Sequence, residues 1–269
     1  MGMSGSKETK ETNEAVDANA SSSLENALRL LNLFSMDEPE WGISEIAQRL
    51  GIANSTVHRL LNTLLAEGFV AKDPRTRLYR LGSSVLALGH LVQSRLKLGQ
   101  IAYPALQRLV QLSNETAHIG ILKESSVIYL TKVDCSHPIR LLSHVGRRND
   151  AHCTSTGQVL LAYLPASRQE EILGQGPFPA YTKKTITDPD KLRNLLAQVR
   201  QQGYAISMEE LHDGVCSIAA PVTNHKGEVI AAVNLAGPTH RMNSAAMPRL
   251  IKLVKEAARE VSQRLSASS

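Results

Sequence analysis

Residues 43–82 read ISEIAQRLGIANSTVHRLLNTLLAEGFVAKDPRTRLYRLG: two short apolar-periodic stretches parted by one glycine, then a charged turn between two apolar runs. Val57, Leu60, Leu61, Leu64 and Leu65 recur at i, i+3, i+4, i+7 and i+8, the spacing of one buried helical face. The opposite face carries Ser55, Thr56, His58, Arg59, Asn62 and Thr63, all compact or strongly hydrogen-bonding. A helix that only covers a core can place Glu and Lys on its wet side. This one presents hydroxyl, amide, imidazole and guanidinium groups, the chemistry that engages base edges in a major groove. Short side chains at its start let the backbone approach phosphate, where the helix dipole favours an anion.

The flanking residues extend the pattern. Ser44 is placed to cap a helix bearing Ile46, Ala47 and Leu50, and Gly51 to end it in the left-handed conformation. Asn54 or Ser55 caps the next helix and Gly68 stops it. Phe69 to Lys72 and Arg77 to Leu81 form two strands joined at Asp73-Pro74-Arg75-Thr76. Helix, turn, polar helix and basic hairpin make a winged helix-turn-helix, with Arg75 and Arg77 on the neighbouring DNA backbone or minor groove. Residues 54–82 hold five Lys or Arg against Glu67 and Asp73, a net of +3, whereas residues 21–53 are net negative. A domain that binds only protein is the competing reading; it leaves the near absence of Glu and Lys from that face unexplained.

The whole chain of 269 residues, 42% apolar and net +5, has room for about one to two domains. No apolar run approaches the roughly 20 residues of a membrane span, and no secretory signal opens the sequence. Cys135, Cys153 and Cys216 form neither a paired set nor a C-x-x-C spacing, which points to reduced thiols in a cytoplasmic protein.

Residues 1–20 lack the apolar content to order and are read as a tail, and residues 21–82 as the winged domain, whose first helix starts at Ser22 and runs through Phe34. Residues 83–98, rich in leucine, are read as a linker helix that pairs with another subunit. Residues 99–269 mix elements: helices near 100–113, 156–164, 188–202 and 246–265, and strands at Ala117 to Leu122, Val127 to Val133, Ile139 to Ser143, Ser217 to Val222 and Val229 to Leu235. The fold class is α+β.

Four ordered blocks carry a family resemblance: SEIAQRLGIANSTVHRLLNTLLAEGFV with YRLG behind it, HCTSTGQVLLAYLP, and GYAISMEELHDGVCSIAAPVTNHKGEVIAAVNLAGP. Residues 22 to about 265 resemble a bacterial IclR-type transcriptional regulator, named for the isocitrate lyase repressor. The resemblance implies a homodimer, in some cases a tetramer, whose winged domains bind a palindromic double-stranded DNA operator and whose GAF-like mixed α/β domain binds a small effector. Ser55, Thr56, His58 and Arg59 then carry base and phosphate contacts, with Thr56 and Arg59 on bases and Asn62 and Thr63 in support. Carried over by position, the effector pocket comprises Leu141, Asn149, Ser155, Thr156, Ser207, Val215, Ser217, Asn234 and Ala236. Gly157-Gln158 stands where Gly-Lys is common in the family, Ser207 corresponds to an acidic residue of its best-known pocket, and Asn234 stands where serine is frequent. A carboxylate seated at the helix opening at Ser155 is expected independently, since free N–H groups and hydroxyls converge there. Thr154 or Ser155 also serves as a plain cap. Arg140, Arg147 and Arg148 lie near enough to neutralise an organic acid.

These expectations amount to a repressor of a catabolic operon released by a small carboxylated metabolite, with no cofactor; an activator of the same class and a metal-responsive regulator remain the alternatives. The metal alternative rests on Asp134, Cys135, His137, His144 and His152, whose spacing is irregular. Cys153 beside His152 and Cys135 near His137 invite a thiol-enzyme reading, but no oxyanion motif or phosphate loop accompanies them.

Overall fold

The computed structural model describes residues 22–95, 97–137 and 144–267, and the chain divides into two compact units, Met1–Gln93 and Ser94–Ser269. The expected strand at Ile139 to Ser143 lies outside the described residues.

The first unit runs α1 (Ser23–Leu31), α2 (Ile43–Leu50), α3 (Asn54–Ala66), β1 (Val70–Lys72), β2 (Tyr79–Leu81) and α4 (Ser83–Arg95). Ser22 accepts from the Glu25 N–H at 3.1 Å, and α1 stops at Leu31, short of Phe34. Gly42, not Ser44, caps α2: its N–H donates to Glu45 Oε2 at 2.8 Å. The physical reason lies one residue earlier. Trp41 exchanges two 2.9 Å backbone hydrogen bonds with Tyr79, so the chain is extended until it leaves that bridge and turns helical at once. Gly51 ends α2 at φ +69°, as its lack of a Cβ allows. Helix α3 begins after Ala53 without a side-chain cap, so neither Asn54 nor Ser55 caps it.

Leu30, Ile46, Leu50, Val57, Leu60, Leu61, Val70 and Tyr79 are buried together, each large aliphatic side chain contributing about 1.5–3 kcal/mol relative to exposure. The hairpin pairs Val70 with Leu81 and Lys72 with Tyr79, a shorter pairing than expected because Arg77 has turned to φ +62°. Asp73 holds the tip by accepting the N–H groups of Arg75 (2.8 Å) and Thr76 (2.9 Å).

The second unit comprises α5 (Lys97–Ser113), β3 (Thr116–Lys123), β4 (Ser126–Val133), β5 (Arg148–Asp150), a 3₁₀ turn at Ala151–Cys153, α6 (Ser155–Ala162), α7 (Ala166–Leu173), α8 (Pro189–Gln202), β6 (Ala205–Met208), β7 (Val215–Thr223), β8 (Val229–Pro238) and α9 (Met247–Ala267). The strands form one antiparallel sheet ordered β5-β4-β3-β8-β7-β6. Ile119, Ile218, Val233 and Leu235 face α5 and α9, packing on Leu106, Leu109, Leu250 and Val254. Val127, Tyr129, Ala219 and Ala232 face the other way, onto Val159, Leu161, Leu192 and Leu196 of α6 and α8. Alternation along the long strands serves both layers, interrupted by register shifts at Ile119/Gly120 and Val222/Thr223. Strands β5 and β6 and helix α7 were not expected: β5 is the polar triplet Arg-Asn-Asp, β6 spans four residues, and α7 is mostly polar.

All three cysteines are free and buried. Among the described residues, no helix is long and apolar enough to cross a membrane.

Candidate functional site

On α3, Ser55, His58, Arg59, Asn62 and Thr63 are exposed and Thr56 is half-buried, while Val57, Leu60 and Leu61 seat the helix. Three of these polar side chains are engaged locally. The Thr63 hydroxyl donates to the Arg59 carbonyl at 3.2 Å, and Asn62 Nδ2 lies 3.3 Å from His58 Nδ1. Arg59 reaches Ser23 Oγ at 3.5 Å, a contact weak enough to exchange for another. Arg75 and Arg77 are exposed at the hairpin tip. Asp73 beside them is held below the usual carboxylate range by the Thr76 and Arg75 N–H groups, so it stays ionised and the turn stays formed.

The second unit holds a polar row on the α6 face of the sheet, four of its six side chains buried and Asn149 and Ser217 half-buried. Asn149, Tyr129, His118, Asn234, Ser217 and Ser207 come one from each strand in spatial order, β5 through β6. His118 pairs across the ladder with Asn234, and Ser217 with both Ser207 and Ala236, so these side chains share a face. They bond to one another and to the start of α6. His118 Nδ1 is 3.1 Å from Asn234 Oδ1, Asn234 Nδ2 donates to Ser155 Oγ at 2.9 Å, and Ser155 Oγ lies 2.8 Å from Ser217 Oγ. Because the Asn234 amide donates to Ser155, its oxygen accepts, which assigns the proton to His118 Nδ1. Burial pushes the His118 imidazole down to about 4, against the pull of Asn234, with Lys132 lowering it further. His118 is therefore neutral at physiological pH. Its ring stacks at a tilt on Tyr129 with centroids 4.8 Å apart.

Helix α6 roofs this row. Thr154 caps it, its hydroxyl accepting from the Gly157 N–H at 3.1 Å. Gly157 has to be glycine: a Cβ there would lie 2.2 Å from the Ala151 carbonyl oxygen and 2.3 Å from Ala151 Cα. That close approach presses the 3₁₀ turn against the helix start and brings Ser207 Oγ within 3.1 Å of the Cys153 carbonyl. Ser155, Thr156 and Gln158 are fully buried. Gln158 Nε2 donates to the His152 carbonyl at 3.0 Å and to Glu210 Oε2 at 2.9 Å. Thr156 Oγ1 and Gln158 Oε1 are buried without a hydrogen-bond partner.

Residues 176–187 strap down beside this roof. Tyr181 donates to Asp150 Oδ2 at 2.7 Å, Thr182 and Thr185 donate to the Glu209 and Glu210 carbonyls at 2.6 Å each, and Lys184 pairs with Glu209. His152 stacks on Phe178 and meets the Pro179 carbonyl at 2.9 Å. Burial raises the Glu210 carboxyl against the opposing bonds from Gln158 and Ser207. At the other end of the row, Arg147 Nε donates to Asn149 Oδ1 at 3.3 Å.

Of the nine pocket residues expected, Ser155, Ser217 and Asn234 are joined directly; Ser207 and Thr156 border them, Ala236 lies opposite Ser217, and Asn149 closes the β5 end. Val215 stands two residues away at the start of β7, and Leu141 lies outside the described residues. Sequence reasoning did not place His118, Tyr129 or Glu210 beside these residues. The signal for His118 was present: a polar residue between Ala117 and Ile119 on an otherwise apolar strand. Cys153 is a poor nucleophile for the thiol-enzyme reading, since it is pushed up to about 12 by burial and then by Asp150 and Glu210. Among the described residues no three of His, Cys, Asp and Glu group as a metal site.

Comparison with known proteins agrees with both units. The IclR helix-turn-helix domain matches residues 23–74, and the bacterial transcriptional regulator IclR C-terminal domain matches residues 90–263. The HTH-type transcriptional regulator BhcR of Paracoccus denitrificans is 36% identical over 248 residues, covering 92% of this chain and 88% of that protein. The transcriptional repressor IclR of Escherichia coli is 31% identical over 242 residues, covering 89% and 88%. A crystal structure of an IclR homologue from Microbacterium hydrocarbonoxydans, complexed with 4-hydroxybenzoate, superposes with a TM-score of 0.78 at 28% identity, covering 91% of this chain and all of that one. A DNA-binding helix-turn-helix followed by an effector-binding α+β domain thus places this chain in the IclR family of bacterial transcriptional regulators.

Proposed function

We propose that the chain represses a catabolic operon in the cytoplasm and leaves its operator when a small carboxylated metabolite binds beneath α6. The observation that carries the effector half is the polar row: six strands each supply a side chain to one line, four of the six buried, roofed by a helix start with two unpartnered polar groups. Proteins rarely bury such groups unless water or a ligand completes them. The N-terminal dipole of α6 and the half-buried Arg147 favour an anion at that end. That an IclR homologue was solved with an aromatic carboxylate fits this chemistry.

For the DNA half, α3 enters the major groove with Ser55, Thr56, His58 and Arg59 at the bases and phosphates, Asn62 and Thr63 in support, and Arg75 and Arg77 on the flanking backbone. Thr63 supports through the helix itself, its hydroxyl being turned onto the Arg59 carbonyl. Two such heads address a palindrome in a homodimer or a dimer of dimers, paired through α4, where Leu86, Leu88 and Leu91 are 75%, 51% and 59% exposed. Effector binding shifts the pairing only through different affinity for the two arrangements.

The test is fluorescence anisotropy with duplexes from the chain's own genomic neighbourhood, across a salt series. Arg59→Ala is expected to relax base preference at about 1–3 kcal/mol for the lost contact, and Arg75→Ala to weaken all sequences alike and flatten the salt slope by about one ion. If neither substitution changes binding to any duplex, the docking is wrong. A reporter fused to the same promoter distinguishes repression from activation.

A further inference from the structure

Where α4 leaves the hairpin it is fastened to the end of the reading helix. The Gly82 N–H donates to the Phe69 carbonyl at 2.8 Å, the Ser84 N–H to the Gly68 carbonyl at 3.1 Å, and the Ser84 hydroxyl to the Glu67 carbonyl at 2.8 Å. Glu67, Gly68 and Phe69 directly follow α3, which ends at Ala66, so carbonyls at the C-terminal end of one helix are met by donors at the start of the other. The approach is close. A Cβ on Gly82 would lie 2.1 Å from the Gly68 oxygen, one on Gly68 would lie 2.8 Å from Ser84 Oγ, and Gly68 itself is at φ +70°. Glycine at both positions is what lets the two backbones meet. The whole junction belongs to the first unit, Met1–Gln93, as does α4 as far as Gln93. Of its three bonds only the one from the Ser84 hydroxyl comes from a side chain, so that bond can be removed with the backbone left intact.

We propose that Ser84 is a positioning residue for DNA reading: it locks α4 to α3, so that the pairing of two α4 helices fixes the separation of the two reading helices. This rests on the docking and the α4 pairing proposed above and names the joint through which they act together. A helix-turn-helix dimer has to present its reading helices about 34–36 Å apart, one turn of DNA. Slack at the joint is magnified by the length of α4. Over Ser83–Gln93 the helix rises about 16 Å, so a tilt of about 10° at its start displaces its far end by about 3 Å. Once one head is bound, the second binds at an effective concentration set by how closely the connection holds it in place. A hydroxyl that touches no base therefore governs affinity for a palindrome, and a changed pairing of α4 reaches α3 through the same bond.

The experiment compares Ser84→Ala and Ser84→Thr, which keeps the hydroxyl, with the native residue in the full-length protein. Gln48→Cys on the exposed side of α2 carries a nitroxide in all three, the native cysteines being buried, and pulsed electron paramagnetic resonance measures the head-to-head distance without DNA. One narrow distance is expected with serine or threonine at 84 and a broadened one with alanine. Anisotropy then uses the tightest-binding duplex from the chain's own genomic neighbourhood, intact, cut to one half-site, and with two base pairs inserted at its centre. Ser84→Ala is expected to weaken binding to the intact duplex about tenfold, to leave the half-site within about twofold, and to lose less than the native protein on insertion. A residue that only stabilised the fold would weaken intact duplex and half-site alike and lower the Trp41 unfolding transition. That pattern, an alanine distance as narrow as the native one, or a threonine variant that behaves like alanine overturns the lock. No head-to-head distance in the native protein overturns the α4 pairing and the lock with it. No duplex bound by the native protein overturns the docking, and with it the part of Ser84 in DNA reading, while the distance widths still decide whether Ser84 holds the heads.

Discussion

Thr156→Val separates a binding residue from a structural one, because the two roles predict opposite signs. The Thr156 hydroxyl is buried without a partner at the start of α6. A buried polar group in that state costs about 1–3 kcal/mol, and replacing it by an apolar group of the same shape is neutral to stabilising. Valine keeps the volume and the β-branching, so packing and helix propensity barely change. A gain of about 1 kcal/mol is expected in the ligand-free protein. For a unit spanning Ser94–Ser269 that is a rise of about 2–4 °C in melting temperature. The same substitution removes a donor from the pocket, so release from the operator needs more effector. Ligand-free melting is followed by circular dichroism, and operator release by anisotropy. The Tyr129 phenol stands against this hydroxyl: burial pushes it above its ordinary range, while the Thr156 and Asn149 side chains pull it back. A melting temperature lowered by several degrees would mean that this phenol holds the hydroxyl in the native state, and the argument from an unsatisfied group would fail.

His118 makes stability depend on pH. Its folded value of about 4 lies below the ordinary 6.5, so the unfolded chain takes up a proton the folded chain refuses. The resulting stability is complete above about pH 6.5 and is lost as pH falls to about 4, a total of about 3 kcal/mol. Urea titrations at pH 7.5 and 5 measure this, and His118→Gln, which can still donate to Asn234, should flatten the difference; an unchanged slope refutes the assignment. Gly157→Ala drives a methyl into the Ala151 backbone and should cost the second unit about 1–3 kcal/mol or more. The sole tryptophan, Trp41, reports only on the first unit, so its unfolding transition should stay in place while the circular-dichroism transition of the second unit moves; a second unit as stable as the native one would refute the close approach.

What could be read in advance was whatever a few consecutive residues specify. The leucine spacing of α3, the left-handed Gly51, the Ser22 cap and the long apolar face of α9 are each set by sterics and burial within one or two turns, and the three helices and hairpin of the first unit followed. The cap of α2 did not, since the Trp41 bridge to Tyr79, a contact between distant residues, determines where that helix begins, and neither did the start of α3, which has no side-chain cap. The pocket divides in the same way. Ser155 and Thr156 were visible as a helix opening, and Asn234 through resemblance. That Asn234 meets His118 from 116 residues away, or that Gln158 meets Glu210 across 52, depends on strand order and register. Neighbouring residues encode a strand's alternation but not the partner it pairs with. Which polar side chains share a line, and which of them are left without a partner, therefore emerged only when the six strands assembled.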